Sequence, residues 1–128
     1  MLYIVDTYAW IAYFAGTDKG KKVQKLLMNE KHSFITLESS IGELFSWSSS
    51  NNLLFGEFLK VVRINSDITP VLLNNWVVAA RIRHEKRKTI KDFGIMDALL
   101  ISKQQELNCK IITGDKHFKS LKSVDYLG

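Results

Sequence analysis

The sequence has a single cysteine and no long apolar run, and each absence narrows the class of protein. Cys109 on its own excludes an intrachain disulfide and is typical of a reducing compartment. We expect its thiol to be buried as a small hydrophobic group. No apolar stretch approaches the roughly 18 residues of a membrane-spanning helix. Residues 1–6 have no basic segment and reach an acid too early for a signal peptide. We therefore expect a cytoplasmic protein with no membrane partner.

The chain also lacks internal repeats and proline- or glycine-rich linkers, with one proline and seven glycines among its 128 residues. That length is typical of one domain. A hydrophobic fraction of 46% is enough for a packed core and excludes a disordered chain. The sequence therefore predicts a single domain over residues 1–128. Its aromatic residues stand in apolar runs, so we expect them in the core rather than on a surface that stacks nucleobases.

Positive charge is concentrated in one segment. Residues 81–91 hold six basic side chains and one acid, Glu85, and this local excess equals the net charge of +5 of the whole chain. The segment has two interpretations: a solvated helix end, where cations favour the helix dipole, or a surface that binds the phosphates of a nucleic acid. The six residues of this basic block are Arg81, Arg83, Lys86, Arg87, Lys88 and Lys91.

Short apolar runs alternate with amphipathic stretches along the chain. Strands are predicted over 2–6, 33–37, 64–68 and 110–113, with a final short one over 124–127. Helices are predicted over 7–14, 18–29, about 41–47, 53–63, from Pro70 to about Lys88, and 97–107. Strands that alternate with helices indicate an α/β fold, with a central parallel sheet of four to five short strands flanked by helices on both faces.

Four acidic residues stand where apolar segments break off. They are Asp6, Glu43, Asp97 and Asp115. A carboxylate on an otherwise buried face is costly unless something compensates it. One such acid could be a cap or part of a salt bridge. Four of them, spread along the whole chain, suggest one shared compensator, for which a divalent cation is the natural candidate.

Parallel-sheet topology explains how distant acids could meet, since sites form outside the carboxyl ends of the strands. Asp6 ends the first predicted strand and Asp115 follows the fourth, while Glu43 and Asp97 lie on helices beside them. With a central first strand, all four carboxylates would converge, and such hard oxygen ligands suit Mg²⁺ or Mn²⁺. Asp6, Asp97 and Asp115 also have local interpretations as caps or turn residues. Glu43, in mid-helix among apolar neighbours, is the hardest to explain in that way.

Four short motifs resemble those of the PIN domain family, and the size and layout of the chain resemble its VapC-type toxin ribonucleases. The resemblance covers essentially the whole chain. Each motif is weak alone, but their order and spacing together are fairly specific. They are Val-Asp-Thr at 5–7, Ser-Ser-Ile-Gly-Glu-Leu at 39–44, Ile-Met-Asp-Ala-Leu-Leu-Ile at 95–101 and Ile-Ile-Thr-Gly-Asp-Lys-His-Phe at 111–118.

The resemblance implies a three-layer α/β/α fold, a homodimer, and RNA cleavage with Mg²⁺ or Mn²⁺. It also implies a small antitoxin as partner, which often blocks the acidic pocket with an arginine. Thr113, and by the same reasoning Thr7, match hydroxyls that support the acidic cluster. The residues that match the cluster itself, as metal ligands and catalytic groups, are Asp6, Glu43, Asp97 and Asp115.

The chain departs from the family pattern at two positions of its last motif. Gly114 stands where many relatives have arginine, and His117 stands where many have another aspartate. We interpret His117 as a surface histidine rather than a group that contacts metal or phosphate. Asp92, an extra acid near the basic block, is interpreted as a loop or cap residue.

Other function classes remain open at this point. A phosphoryl-transfer or receiver-type domain also places acids at strand ends, but it needs a second aspartate close to the first. Residues 7–9 are Thr-Tyr-Ala, which argues against that class. A non-catalytic module that binds RNA or a partner, and a housekeeping RNA-processing nuclease, both remain compatible with the sequence.

Overall fold

The computed structural model describes every residue from Met1 to Gly128 and contains one five-stranded parallel sheet. Its strands are β1 (Leu2–Val5), β2 (Ser33–Leu37), β3 (Asp67–Thr69), β4 (Lys110–Thr113) and β5 (Val124–Tyr126). The strand order is β3-β2-β1-β4-β5, and all four pairings are parallel. β1 is therefore central, which is the condition under which the sequence predicts that the acids converge.

Six helices connect the strands, and none has both the length and the apolar character needed to span a bilayer. They are α1 (Thr7–Ala15), α2 (Asp18–Leu27), α3 (Glu38–Ser50), α4 (Phe55–Asn65), α5 (Leu73–Lys86) and α6 (Ile95–Leu107). A short 3₁₀ helix, Lys116–Phe118, follows β4.

Both faces of the sheet are buried, which explains why its strands read as continuous apolar runs. In β1, Ile4 packs into a core shared with α5 and α6, whereas Tyr3 and Val5 pack into a second core under α1 to α4. In β4, Ile111 and Ile112 divide between the same two cores. The predicted three-layer α/β/α fold is confirmed.

Several side chains predicted to belong to the core do so, but the prediction is wrong for Phe45 on α3 and Trp76 on α5, which are 54% and 40% exposed because they lie on outward faces of their helices. Cys109 is 5% exposed, and burial raises the pKa of its thiol, which makes it a small hydrophobic group. Trp10, Phe93 and Phe118 are among the largest fully buried side chains. The Trp10 indole N–H still finds an acceptor, the Thr36 hydroxyl at 3.1 Å.

The third strand begins later than the prediction of 64–68. Helix α4 continues to Asn65 because Val62 is buried on its inner face, while Ile64 points outward and is 75% exposed. Ser66 ends the helix: its hydroxyl bonds to the Val62 carbonyl and to the Thr36 hydroxyl of β2, each at 2.8 Å. The first two residues of the predicted strand, Ile64 and Asn65, are therefore the last turn of a helix, while Asp67 and Ile68 belong to β3 as predicted.

The prediction that Pro70 begins the long helix is wrong. Pro70 follows β3, and helix α5 starts three residues later at Leu73. The Leu72 N–H donates to the Asn75 side chain at 3.0 Å, and the Val71 N–H donates to Glu38 at 3.1 Å. These bonds satisfy the backbone before the helix, so the start of α5 is set by a local cap from Asn75 and a tertiary contact with Glu38 rather than by the proline.

Helices α5 and α6 are joined by a polar cluster in which Asn75, Ser102 and Lys103 are buried and Glu106 is partly exposed. The Asn75 amide donates to the Ser102 hydroxyl at 3.2 Å and to Glu106 Oε1 at 3.0 Å. Lys103, only 3% exposed, pairs with Glu106 Oε2 at 3.0 Å. Glu106 therefore accepts a hydrogen bond from Asn75 of α5 and also pairs with the buried ammonium group of Lys103. This cluster fixes α6, whose first turn carries Asp97.

We predict that Glu106→Gln lowers the free energy of unfolding by up to about 1 kcal/mol, since the buried Lys103 charge loses its partner while solvent screens the Glu106 side chain, which is 41% exposed. The hydrogen bond from Asn75, followed by Lys103, lowers the pKa of Glu106 below its ordinary value of 4.5. The folded state therefore holds this proton less tightly than the unfolded state. Above pH 4.5 the contribution is complete, and it is lost as the pH falls further.

Urea unfolding at pH 7 and at pH 3.5 measures this effect. The exposed Glu30 is the control, and Glu30→Gln should leave stability unchanged. A Glu106→Gln variant as stable as the wild type at pH 7 would contradict the role of the cluster.

Candidate active site

The pairing of β1 with β4 brings distant parts of the chain together. Val5 lies opposite Ile112 in the parallel register, and the Asp6 N–H donates to the Ile112 carbonyl at 3.1 Å. One residue further, the Thr113 hydroxyl donates to Asp6 Oδ2 at 2.7 Å. The same hydroxyl accepts the Asp115 N–H at 3.0 Å. Thr113 therefore links the acid that follows β1 to the acid that follows β4.

Asp6 is the most enclosed of the four acids, at 6% exposure. Besides the Thr113 hydroxyl, it accepts the Thr7 N–H at 2.7 Å and so also caps α1. The pKa of Asp6 is raised to about 7, mainly by burial and further by the negative charges of Glu43 and Asp97, against the lowering effect of its two hydrogen bonds. Its local role as a cap does not remove the cost of its charge.

Glu43 faces Asp6 from helix α3. Its Oε1 accepts the Thr7 hydroxyl at 3.0 Å, so Thr7 contacts two of the acids, one through its backbone and one through its side chain. Although much of the Glu43 residue is exposed, desolvation of its carboxyl group raises its pKa. The charges of Asp97 and Asp115 raise it further. No local cap explains this residue.

Asp97 and Asp115 each bond to the backbone at the start of a helix. Asp97 is the third residue of α6, and its Oδ2 accepts the Gly94 N–H at 3.1 Å. Asp115 caps the 3₁₀ helix, where its Oδ1 accepts the His117 N–H at 2.9 Å. In each case the second carboxylate oxygen has no hydrogen-bond partner in the protein.

His117 is not the unpartnered surface histidine that the sequence suggested. Its side chain is 22% exposed, and its Nδ1 lies 3.0 Å from Asp97 Oδ2 and 3.7 Å from Asp115 Oδ1. Ligand atoms of these three residues lie within 4.8 Å of one another, a group to which neither Asp6 nor Glu43 belongs. The last motif of the sequence already indicated that His117 lies at the acidic site, since it occupies a position where many relatives carry an acid.

All four acids line one pocket at the carboxyl end of β1 and β4. No lysine or arginine lines this pocket, and none forms an ion pair with the four acids. Thr7 and four apolar or aromatic side chains form the rest of its wall. The lining residues other than the acids are Thr7, Tyr8, Ile11, Met96 and Leu100.

Tyr8 was not singled out by the sequence, yet it forms the rim of the pocket beside Gly114. A Cβ atom at Gly114 would lie 2.3 Å from the Tyr8 ring. The Tyr8 hydroxyl accepts a hydrogen bond from Lys19 at 3.1 Å. Tyr8 therefore occupies the space that a side chain at position 114 would need, so a larger residue there requires the Tyr8 ring to move.

None of the six residues of the basic block lines the acidic pocket. Arg81 and Lys86 line a separate groove between α5, α6 and residues 120–124. Lys88 pairs with Glu85 at 3.2 Å. Arg87 is linked to the acidic site indirectly, because its Nε donates to the Phe93 carbonyl at 2.8 Å, just before the turn into α6.

Asp92 is exposed in the loop before α6 with a φ of 64°, as predicted for a loop residue.

We predict that Asp6→Asn stabilises the protein in EDTA at pH 8 by on the order of 1–4 kcal/mol. The unfolded chain loses the Asp6 proton near pH 3.8 and the folded protein near pH 7. Between these values the folded state binds more protons, so wild-type stability falls as the pH rises and is lowest above pH 7. The asparagine variant does not have this dependence.

Urea unfolding in EDTA at pH 4 and pH 8 measures the difference, with Asp92→Asn as the control. The advantage of Asp6→Asn should shrink towards pH 4. A variant less stable than the wild type at pH 8 would show that burial of this carboxylate carries no cost.

Comparison with solved structures shows which folds the chain is similar to. A toxin–antitoxin complex from Klebsiella pneumoniae contains a chain that matches with a TM-score of 0.77 at 14% identity, covering 98% of each chain. A Mycobacterium tuberculosis VapC toxin, described as cleaving the sarcin–ricin loop, matches with a TM-score of 0.77 at 15% identity. It covers 96% of this chain and 97% of that one.

A DNA-bound VapBC complex from Salmonella typhimurium matches with a TM-score of 0.71 at 15% identity, over 100% of both chains. No curated protein sequence matched the chain. At these identities the structural likeness establishes the fold alone. The model of the family described as "PIN domain" matches residues 3–124, which is nearly the whole chain. The protein belongs to the PIN domain family.

Proposed function

We propose that this protein is an endoribonuclease that hydrolyses phosphodiester bonds with Mg²⁺ or Mn²⁺ at its acidic pocket. The observation that carries the proposal is the charge of that pocket: four carboxylates line it without any lysine or arginine. Two of them have raised pKa values, so the arrangement is unfavourable for the protein alone. A divalent cation is the partner that makes such a cluster favourable.

The donor atoms fit a hard divalent cation. Glu43, Asp97 and Asp115 each keep one carboxylate oxygen without a protein hydrogen bond, and ligand atoms of Asp97 and Asp115 lie close together. Carboxylate oxygens are the ligands that Mg²⁺ and Mn²⁺ prefer. Asp6, Asp97 and Asp115 would hold the cation, and Glu43 would bind it directly or through a water molecule.

The surrounding residues position these groups for hydrolysis. When bound, the cation would lower the pKa of a coordinated water and offset charge on a phosphorane-like transition state. The hydroxyls of Thr113 and Thr7 hold Asp6 and Glu43 in fixed orientations. The free oxygen of Glu43 can orient the attacking water. The chain needs no serine or cysteine nucleophile in this reaction.

RNA is the proposed substrate because the basic block offers the positive charges that the phosphates of a polyanion need. The exposed part of the basic block extends from the last turns of α5 into the following loop. Arg87 contacts the backbone next to the turn that carries Asp97, so the block and the acidic site share one structural support. We propose that the block binds the RNA backbone while the strand enters the acidic pocket. Its residues are Arg81, Arg83, Lys86, Arg87, Lys88 and Lys91.

We further propose that the nuclease is the toxin of a toxin–antitoxin pair and acts as a homodimer in the cytoplasm. Structures described as toxin–antitoxin complexes share its fold over nearly their whole length. Two groups of exposed apolar side chains support protein partners, since a monomer rarely exposes such groups together. One contains Phe45, Leu53 and Leu54, and the other contains Leu72, Leu73, Trp76 and Val77.

The first functional prediction concerns Asp97. Asp97→Asn should weaken Mn²⁺ binding and reduce Mn²⁺-dependent cleavage of RNA by at least about 100-fold, since it removes a charged ligand. Calorimetry measures the first effect and a cleavage assay on total RNA measures the second. Asp92→Asn is the matched control, because it neutralises an exposed acid outside the pocket. Cleavage by Asp97→Asn at the wild-type rate would refute the metal mechanism. A wild-type protein that binds RNA but no Mn²⁺ would instead be a non-catalytic binding module.

The second functional prediction concerns the basic block. The double variant Arg81→Ala, Lys86→Ala should weaken RNA binding at low salt and flatten its salt dependence by about 0.7 in the log–log slope per lost phosphate contact. Fluorescence anisotropy at several KCl concentrations measures both quantities. The double variant Lys21→Ala, Lys25→Ala on α2 removes the same charge elsewhere and serves as the control. Equal slopes for the two double variants would contradict a specific role of the block.

A further inference from the structure

We propose that His117 coordinates the catalytic cation through Nδ1, which gives the site a mixed nitrogen and oxygen donor set. This inference rests on the proposed metal-dependent function and adds a specific ligand to it. The acids alone form a site of oxygen donors, as Mg²⁺ prefers. A direct imidazole ligand would change which cation the site selects.

The distances around His117 fit neighbouring ligands of one cation. Adjacent ligands of an octahedral ion with bonds of about 2.1 Å are separated by about 3 Å. Nδ1 lies 3.0 Å from Asp97 Oδ2 and 3.7 Å from Asp115 Oδ1, and although each of these oxygens accepts one backbone N–H, each keeps a second lone pair for a cation. These three residues are the tightest group of potential ligands around the pocket. A cation placed between the carboxylates of Asp97 and Asp115 is therefore within reach of the imidazole nitrogen.

The imidazole is held in this position before any cation binds. The His117 N–H donates to Asp115 Oδ1 at 2.9 Å, which fixes the backbone of the 3₁₀ turn. The ring packs against Phe93, with 6.0 Å between ring centroids. Asp97 is fixed in turn by the Gly94 N–H. Because backbone and ring are both restrained, little side-chain freedom would be lost on coordination.

The same 3.0 Å separation also suits a hydrogen bond from Nδ1–H to Asp97, which would make His117 a positioning residue only. The two roles use Nδ1 differently. A hydrogen-bond donor keeps its proton and stays out of the coordination shell, whereas a ligand offers its lone pair to the cation. A measurement of nitrogen bonded to the cation therefore distinguishes them.

A nitrogen ligand has a consequence for the choice of cation. Imidazole suits transition-metal ions, while Mg²⁺ favours oxygen donors and retains its waters. The wild-type protein should therefore bind Mn²⁺ more tightly than Mg²⁺. His117→Asp restores an all-oxygen set, and we expect it to reduce the ratio of Mg²⁺ to Mn²⁺ dissociation constants by about tenfold. The ratio is informative because the added negative charge strengthens binding of both ions.

The decisive experiment is electron spin-echo envelope modulation of the Mn²⁺-loaded protein. We expect ¹⁴N modulation from a directly bonded imidazole in the wild type and in His84→Asn, which alters an exposed histidine on α5. We expect its loss in His117→Asn, which keeps an amide group able to hydrogen-bond to Asp97. Labelling the unmutated protein with ¹⁵N-histidine should change the modulation without relying on any variant, so a misfolded variant would not obscure the result.

The outcomes separate this inference from the proposed function. Mn²⁺ that binds with an affinity dependent on Asp97 but shows no histidine nitrogen coupling would overturn the role of His117 as a ligand and leave the nuclease proposal intact. Modulation that persists in His117→Asn would overturn the assignment as well. A wild-type protein that binds no Mn²⁺ in calorimetry would overturn both. Loss of modulation in His117→Asn together with the isotope effect would establish the ligand.

Discussion

The pairing of β1 with β4 is the constraint on which the rest of the site depends. Asp6 and Thr113 are 107 residues apart in the sequence, and the strand pairing places the Thr113 hydroxyl 2.7 Å from Asp6 Oδ2. The chain then leaves β1 directly into α1, which sets Thr7 and Tyr8 at the pocket, and leaves β4 into the turn that carries Asp115. Because parallel strands end at the same edge of a sheet, these groups meet without any local sequence relation.

The site is built at a cost in stability. Burial and mutual repulsion raise the pKa of Asp6 and of Glu43, although hydroxyl and amide donors partly offset this. Without a bound metal, the protein would be more stable if uncharged side chains replaced these carboxylates. The surrounding fold compensates for this cost through two fully buried cores, one on each face of the sheet. Carboxylates held close together by a rigid sheet need little rearrangement to bind a cation.

Helices α5 and α6, which pack together on one face of the sheet, link the basic block to the acidic site. The Asn75–Glu106–Lys103 cluster links α6 to α5. At the opposite end of the pair, Arg87 bonds to the Phe93 carbonyl next to the first turn of α6. The acid at position 97 and the start of the basic block are therefore parts of one rigid unit. The acidic and basic side chains can coexist because none of the six basic residues lines the acidic pocket.

By itself, the sequence determined the fold class and showed four acids that interrupt its apolar runs. Buried parallel strands leave continuous apolar runs, and acids that interrupt those runs are visible without a structure. Tertiary structure decided what local pattern could not: α4 extends through Ile64 because Val62 is buried, and α5 starts after Pro70 because Asn75 and Glu38 satisfy the preceding N–H groups. It also decided the surroundings of His117 and Tyr8. Their partners Asp97 and Gly114 lie far along the chain or on another element, and only the packed sheet brings them into contact.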